Sequence, residues 1–255
     1  MVAGKAVEKA DYGNWVSRRL IWVPGAIGCV FLALTPLSLL FLIGAAVFLL
    51  PCGYFAYAYH SFSRRGGDVQ GKMVELLMQH VDWDGYGRAL DIGCGNGLVT
   101  VALAQRHLQA EVSGIDYWGA GWDYSQRACR RNAENEQVAD RLSFQRASAA
   151  ALPFRDGQFD LAVSNLVFHE VGDARDKREV LREALRVVRE GGAFAFQDLF
   201  LLRHAYGEID DLLETVRSWG VSSVAFVDTS RSSFIPGALR LPFMLGSVGI
   251  IHGTK

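Results

Sequence analysis

Residues 20–59 run without a single Asp, Glu, Lys or Arg, while charged residues crowd the rest of the chain. A membrane-crossing helix needs about 20 apolar residues. The stretch is therefore long enough for two passes, and Thr35-Pro36 near its middle marks a tip, because proline resists helix continuation and disfavours helix in the residue before it. The pattern predicts a transmembrane helical hairpin. Lys5, Lys9, Arg18 and Arg19 precede it and Arg64, Arg65 and Lys72 follow, so the positive-inside bias puts both flanks on the cytoplasmic side. Trp15 and Trp22 at the start, with Tyr54, Tyr57 and Tyr59 at the end, suit one shared interface. A cleaved secretory signal would have a much shorter apolar core. A re-entrant or interfacial hairpin is the other alternative, because Pro24, Pro36 and Pro51 cut each uninterrupted helix to about 12–15 residues, below the usual span.

Beyond Arg64-Arg65, Gly66-Gly67 reads as a linker, and Met73, Leu76, Leu77 and Val81 follow helical spacing up to about Asp82. Strands are then predicted over 89–92, 111–115, 142–147, 161–164, 193–198, 224–227 and 248–252. Between them, Leu181, Ala184, Leu185 and Val188 form one apolar helix face, and Ile209, Leu212, Leu213 and Val216 form another, stopped by Gly220. Alternation of this kind predicts an α/β, doubly wound, mostly parallel sheet. The expected organisation is a cytoplasmic segment 1–19, the hairpin 20–59, a linker and leading helix 60–87, and an α/β domain 88–255. Ligands of such sheets sit at the carboxyl ends of the strands, near the topological switch point.

Composition narrows this reading. The chain has 255 residues, half of them hydrophobic, and 26 basic against 27 acidic side chains, a net charge of −1. Disorder is excluded, and the balance argues against a dedicated nucleic-acid surface. Cys29, Cys52, Cys94 and Cys129 form no CxxC pair, so neither a metal site nor a disulfide framework is expected.

The candidate chemistry begins at Leu90-Asp91-Ile92-Gly93-Cys94-Gly95-Asn96-Gly97, a strand entering the helix 98–105 through glycines that admit close backbone approach. The dinucleotide fingerprint wants Gly or Ala where Leu98 stands. Asp91 beside the loop would repel a pyrophosphate but suits the ammonium and sulfonium charges of S-adenosylmethionine. The second strand ends at Asp116, a carboxylate able to accept from both hydroxyls of a ribose.

These residues resemble the class I S-adenosylmethionine-dependent methyltransferases. LDIGCGNG is similar to that family's first motif, GID to its acidic second-strand end, ALPFRDGQFDLAVSNLVFHEV to its adenine loop and fourth strand, and LREALRVVREGGAFAFQD to its fifth-strand unit. The resemblance covers 88–255 and implies a Rossmann-like, seven-stranded sheet whose last strand is antiparallel. It also implies S-adenosyl-L-methionine as cofactor. Asp91, Gly93, Cys94 and Gly95 would then surround the methionine part, Asp116 the ribose and Tyr117 the adenine, with Asn165 beneath the transferable methyl. Where the family often has Asp this chain has Ser148, leaving its hydroxyl or the Ala149 backbone for the adenine amine.

Methyl transfer needs alignment, and a base only where the acceptor must lose a proton. His169 and Glu170, after the Asn165 strand end, are the candidates; loop support or helix capping is the alternative for His169. Trp118 and Trp122 flank a glycine bend and either wall a pocket or pack on the next helix. His204 and Tyr206 are lid or ordinary loop residues, and the apolar segment 234–244 either touches a bilayer or closes the core. The fourth strand runs into Asn165-Leu166-Val167-Phe168, without the Pro-Pro-Tyr that marks methylation of base amino groups. The expectation is a membrane-anchored methyltransferase acting at the cytoplasmic face on a small-molecule or lipid-like acceptor, with no nucleic-acid partner. A noncatalytic cofactor-binding module and an NAD-dependent oxidoreductase are the alternatives.

Overall fold

The computed structural model describes residues 9–119 and 123–255, which divide into two units: residues 14–73, and residues 74–255 together with the segment ending at Gly13.

In the smaller unit, α1 (Arg19–Ala33) and α2 (Phe41–Phe62) form an antiparallel hairpin whose turn, 34–40, contains Thr35 and Pro36. Phe31 stacks on Phe48 with ring centroids 5.7 Å apart, and Cys52 Sγ donates to the Ile21 carbonyl at 3.3 Å. Glycine sets the close approach: a Cβ at Gly28 would stand 2.6 Å from Leu49, and one at Gly44 2.6 Å from Phe31. α1, at 15 residues, has the length the prolines suggest, whereas α2 does not. Pro24 lies inside α1 and Pro51 inside α2, which continues unbroken for 22 residues. Proline removes one i→i−4 bond, and the rest of each helix is held by its partner across the hairpin. At 1.5 Å per residue α2 is about 33 Å long. It is the one helix among the described residues long and apolar enough to cross a membrane; α1, with 15 residues, is shorter.

The chain continues through α3 (Val69–Met78) into the α/β unit: β1 (Gly87–Ile92), α4 (Leu98–Arg106), β2 (Ala110–Asp116), α5 (Gln126–Asn135), β3 (Leu142–Arg146), β4 (Phe159–Asn165), α6 (Lys177–Arg186), β5 (Val188–Asp198), α7 (Arg203–Tyr206), α8 (Ile209–Ser218), β6 (Ser223–Asp228) and β7 (Gly249–Thr254). The sheet order is β3-β2-β1-β4-β5-β7-β6, with β1 to β5 pairing in parallel and β7 antiparallel between β5 and β6. All seven predicted strands are present. β5 starts five residues before its predicted beginning, because Val188 pairs with Phe159 ahead of a register shift. One side of the sheet, with Leu90, Ile92, Phe194 and Phe196, packs on Leu181, Ala184 and Leu185 of α6 and on Leu212, Leu213 and Val216 of α8, whereas Val188, predicted on the first of these helix faces, opens β5 instead. The segment 234–244 divides between its two readings: Ile235 and Leu239 are buried, whereas Leu241 and Phe243 are exposed.

Since β1 pairs with β2 on one side and β4 on the other, the chain reverses its winding at β1. The loop after β1 therefore opens on the crevice where ligands of such sheets sit.

Candidate active site

The glycine loop is built by positive backbone angles: Gly93, Gly95 and Gly97 have φ of 77°, 57° and 86°. These angles suit glycine, which has no Cβ to clash. Gly93 and Cys94 both donate to the Ile115 carbonyl, at 2.8 and 2.9 Å, folding the loop back over the end of β2. A Cβ on Gly93 would run into Val167, so this glycine is also what lets the loops after β1 and β4 meet. Cys94 turns its side chain inward, onto Cys129, Ala133 and Phe144, where burial pushes its thiol pKa up. It shapes the loop from beneath.

Asp91 alternates with the core residues Leu90 and Ile92 and so faces α4, where Thr100 Oγ1 donates to its Oδ2 at 2.6 Å. Its Oδ1 is buried without a partner. Burial raises the Asp91 pKa to about 7 against the opposing Thr100 bond, with Asp116 adding a smaller push upward. A buried carboxylate with an unused oxygen is what an ammonium group would satisfy. Asp116 accepts from Gly95 N through Oδ2 at 2.9 Å and from Trp118 N through Oδ1 at 2.6 Å. Each oxygen retains a further lone pair for a hydroxyl. Burial raises the Asp116 pKa, and those backbone bonds oppose it.

Trp118, at φ 45°, folds its indole back to donate to the Gly95 carbonyl at 2.8 Å and packs beside Cys94 and Cys129. This is the packing alternative. Trp122 lies outside the described residues. Tyr117 is exposed, and Arg146 covers its ring at 4.9 Å while donating to its carbonyl. Ser148 Oγ donates to Asp173 Oδ2 at 2.9 Å, so a carboxylate distant in sequence stands where this chain has serine; Ala149 beside it is buried.

After β4, the turn holding His169 and Glu170 is organised by Asp198, at the end of β5. Asp198 is fully buried; its Oδ2 accepts from Val167 N and Phe168 N at 3.0 and 2.6 Å, and its Oδ1 accepts from Leu199 N. His169 Nδ1 is 2.6 Å from the same Oδ1. The contact fixes the ring and leaves Nε2 outward, 3.8 Å from Glu170 Oε1. Burial alone would lower the His169 pKa; the charge and hydrogen bond of Asp198, with Glu170 behind them, raise it overall. Asn165 ends β4 with its Oδ1 buried and unpartnered. The glycine loop and the histidine are thus contiguous, linked through Val167 and Asp198.

Three participants escape a reading of the sequence. Asp198 lies at a strand end, where functional residues of this fold concentrate, and that position is its only sequence signal. Tyr124 has none: its ring stands 3.6 Å from a Cβ placed on Gly95, and burial, then Glu170 and Asp116, raise its pKa. It stands near both the ribose carboxylate and the histidine turn. Asn132, fully buried on α5, donates to the carbonyls of Asn96 and Asp11 and accepts from Asp11 N, tying the N-terminal segment to the glycine loop.

The reversal at β1, the glycine turn and the two acidic strand ends are the parts of a nucleotide-cofactor crevice. Residues 90–196 match the family described as a methyltransferase domain. Among curated relatives, it is 30% identical over 164 residues to Methyltransferase GfsG of Streptomyces halstedii, covering 63% of this chain and 52% of that protein. It is 34% identical over 143 residues to 27-O-demethylrifamycin SV methyltransferase of Amycolatopsis mediterranei, covering 55% and 48%. The chain therefore spans about half the length of these relatives. In fold it is similar to geranyl diphosphate C-methyltransferase from Streptomyces coelicolor, solved with S-adenosyl-L-homocysteine: TM-score 0.55, 17% identity, 74% of this chain and 80% of that one.

Proposed function

We propose that this protein is a membrane-anchored methyltransferase that works at the cytoplasmic face on a small, hydrophobic or lipid-like acceptor. The observation that carries the chemistry is the buried Asp198 carboxylate, which holds His169 directly beside the glycine loop. The cofactor supplies a methyl group already activated on a sulfonium centre. Asp91, through its unused Oδ1, holds the amino-acid ammonium, and Gly93 and Gly95 leave room for that end. Asp116 takes the ribose hydroxyls, Tyr117 the adenine ring, and Ser148 with Ala149 the adenine amine, Asp173 steadying Ser148. Asn165, at the end of β4, would lie below the reacting centre. His169 accepts the proton of the acceptor at Nε2 while its Nδ1–H stays hydrogen-bonded to Asp198, and Glu170 beside it favours the protonated ring that results. Orientation and exclusion of water, to which Tyr124 contributes, supply the rest.

Anchoring is supported by the apolar hairpin: its exposed Trp22, Leu37, Leu39 and Leu50 are side chains that water does not stabilise. The basic residues on both flanks support a cytoplasmic placement of the domain. Tethering concentrates the enzyme near an acceptor dissolved in the bilayer.

The test is transfer of labelled methyl from S-adenosylmethionine into membrane and soluble extracts by the full chain. Label in a lipid-extractable small molecule, reduced about 10²- to 10⁴-fold by His169→Ala, is expected from the usual worth of a general base. Label confined to RNA or protein would contradict the acceptor class.

A further inference from the structure

Next to the histidine turn, the segment leading into α6 and the short helix α7 line an open cleft of about 470 Å³. Its charged lining is Arg175, Arg178 and Arg203 with His204, against Asp176 as the one carboxylate. We propose that this cleft binds a phosphate-class anion carried by the methyl acceptor, an inference that rests on the methyltransferase reading above.

Three guanidiniums facing one cleft create a field that a dianion neutralises better than a single carboxylate does, and the guanidinium fork matches phosphate oxygens two at a time. Two of the three are held in place by local partners: Arg178 pairs with Asp176 at 2.8 Å and Arg203 with Glu208 at 2.8 Å. Both pairs are solvent-exposed, and such pairs are weak enough for a ligand to share their cations. Arg175 makes no hydrogen bond or ion pair among the described residues, leaving its whole fork for an anion.

The cleft abuts the reaction centre. Tyr206 lines it, packs edge-on against Phe200 at 5.0 Å, and has its pKa raised by burial and then by the charge of Asp198. Lys177, between Arg175 and Arg178 in sequence, donates to the carbonyls of Val171 and Ala174 and so fixes the cleft wall to the turn that holds His169. An anion held by the arginines thus lies one side chain from the Asp198–His169 pair. A phospholipid-like headgroup and a soluble phosphate ester share this chemistry.

The experiment is a calorimetric titration of the full chain, in neutral detergent, with inorganic pyrophosphate, glycerol phosphate, a short-chain phosphatidic acid, and acetate as control. Pyrophosphate is expected to bind, and Arg175→Ala or Arg203→Ala to weaken it at least tenfold while S-adenosylmethionine affinity stays unchanged. Tighter binding of phosphatidic acid than of glycerol phosphate would support the site with a lipid-borne phosphate, and equal binding would support it with a soluble one. Absence of binding beyond acetate, or binding indifferent to both arginine variants, would overturn the proposal. Pyrophosphate binding needs no cofactor, so failure of S-adenosylmethionine to bind would overturn the methyltransferase reading separately.

Discussion

Asp91 and His169 are both shifted upward, for opposite reasons. Burial raises Asp91 to about 7, so the folded domain retains a proton that the unfolded chain gives up. This carboxyl's contribution to stability accordingly falls as pH rises between about 4 and 7. An ammonium beside Oδ1 reverses that cost. S-adenosylmethionine affinity should therefore climb with pH from about 5 to 7, approaching tenfold per unit at the acid end, with proton release on binding. Calorimetry in buffers of different ionisation enthalpy measures that release, and Asp91→Asn should abolish it along with most of the affinity. His169 is raised by Asp198 and Glu170, although burial opposes them. The stability their contact contributes is complete below the unfolded histidine pKa of about 6.5 and fades as pH rises through the higher folded value. A base must be neutral, so turnover should increase with pH across that same value. Asp198→Asn removes the raising charge: the acid limb of the rate profile should move to lower pH and the plateau should drop, with cofactor affinity little changed. An unmoved limb would make Asp198 a loop support alone.

Among the elements, the loop after β1 is where sequence and structure agree most closely, because its geometry is written locally in glycines at positions of positive φ. Gly93→Ala puts a methyl group into Val167 and a side chain at φ 77°. Strain of about 1–3 kcal/mol is expected from the backbone alone, so thermal unfolding should move down and cofactor affinity should fall with it. The strands themselves and the apolar faces of α6 and α8 were legible for the same reason: periodicity is local. The partners of the site were not. Asp198 reaches His169 from 29 residues away, and Asp173 reaches Ser148 from 25. Tyr124 meets the glycine loop only after the chain has turned through β2. Pro51 misled in the other direction: it reads as limiting the second helix to about 12–15 residues, whereas α2 runs through it for 22 residues. Gly28→Leu should open that packing, at about 1–3 kcal/mol for an overfilled contact, detectable as faster proteolysis between the helices.

For the whole molecule, the apolar hairpin precedes an α/β domain of balanced charge, and the proposed anchor makes its own prediction. The full chain is expected to partition with vesicles and resist extraction by high salt and alkaline carbonate. Release by salt alone would contradict the anchor while leaving the domain untouched. The claim on which everything else depends is the identity of the ligand in the β1 crevice. The most direct measurement is equilibrium binding of S-adenosylmethionine, S-adenosylhomocysteine and NAD to the full chain, with Asp116→Ala alongside. Binding of the two sulfur compounds but not NAD, weakened at least several-fold in the variant, is expected from the unpartnered Asp91 oxygen and the Asp116 strand end. Preference for NAD, or no binding of either sulfur compound by demonstrably folded protein, would contradict it.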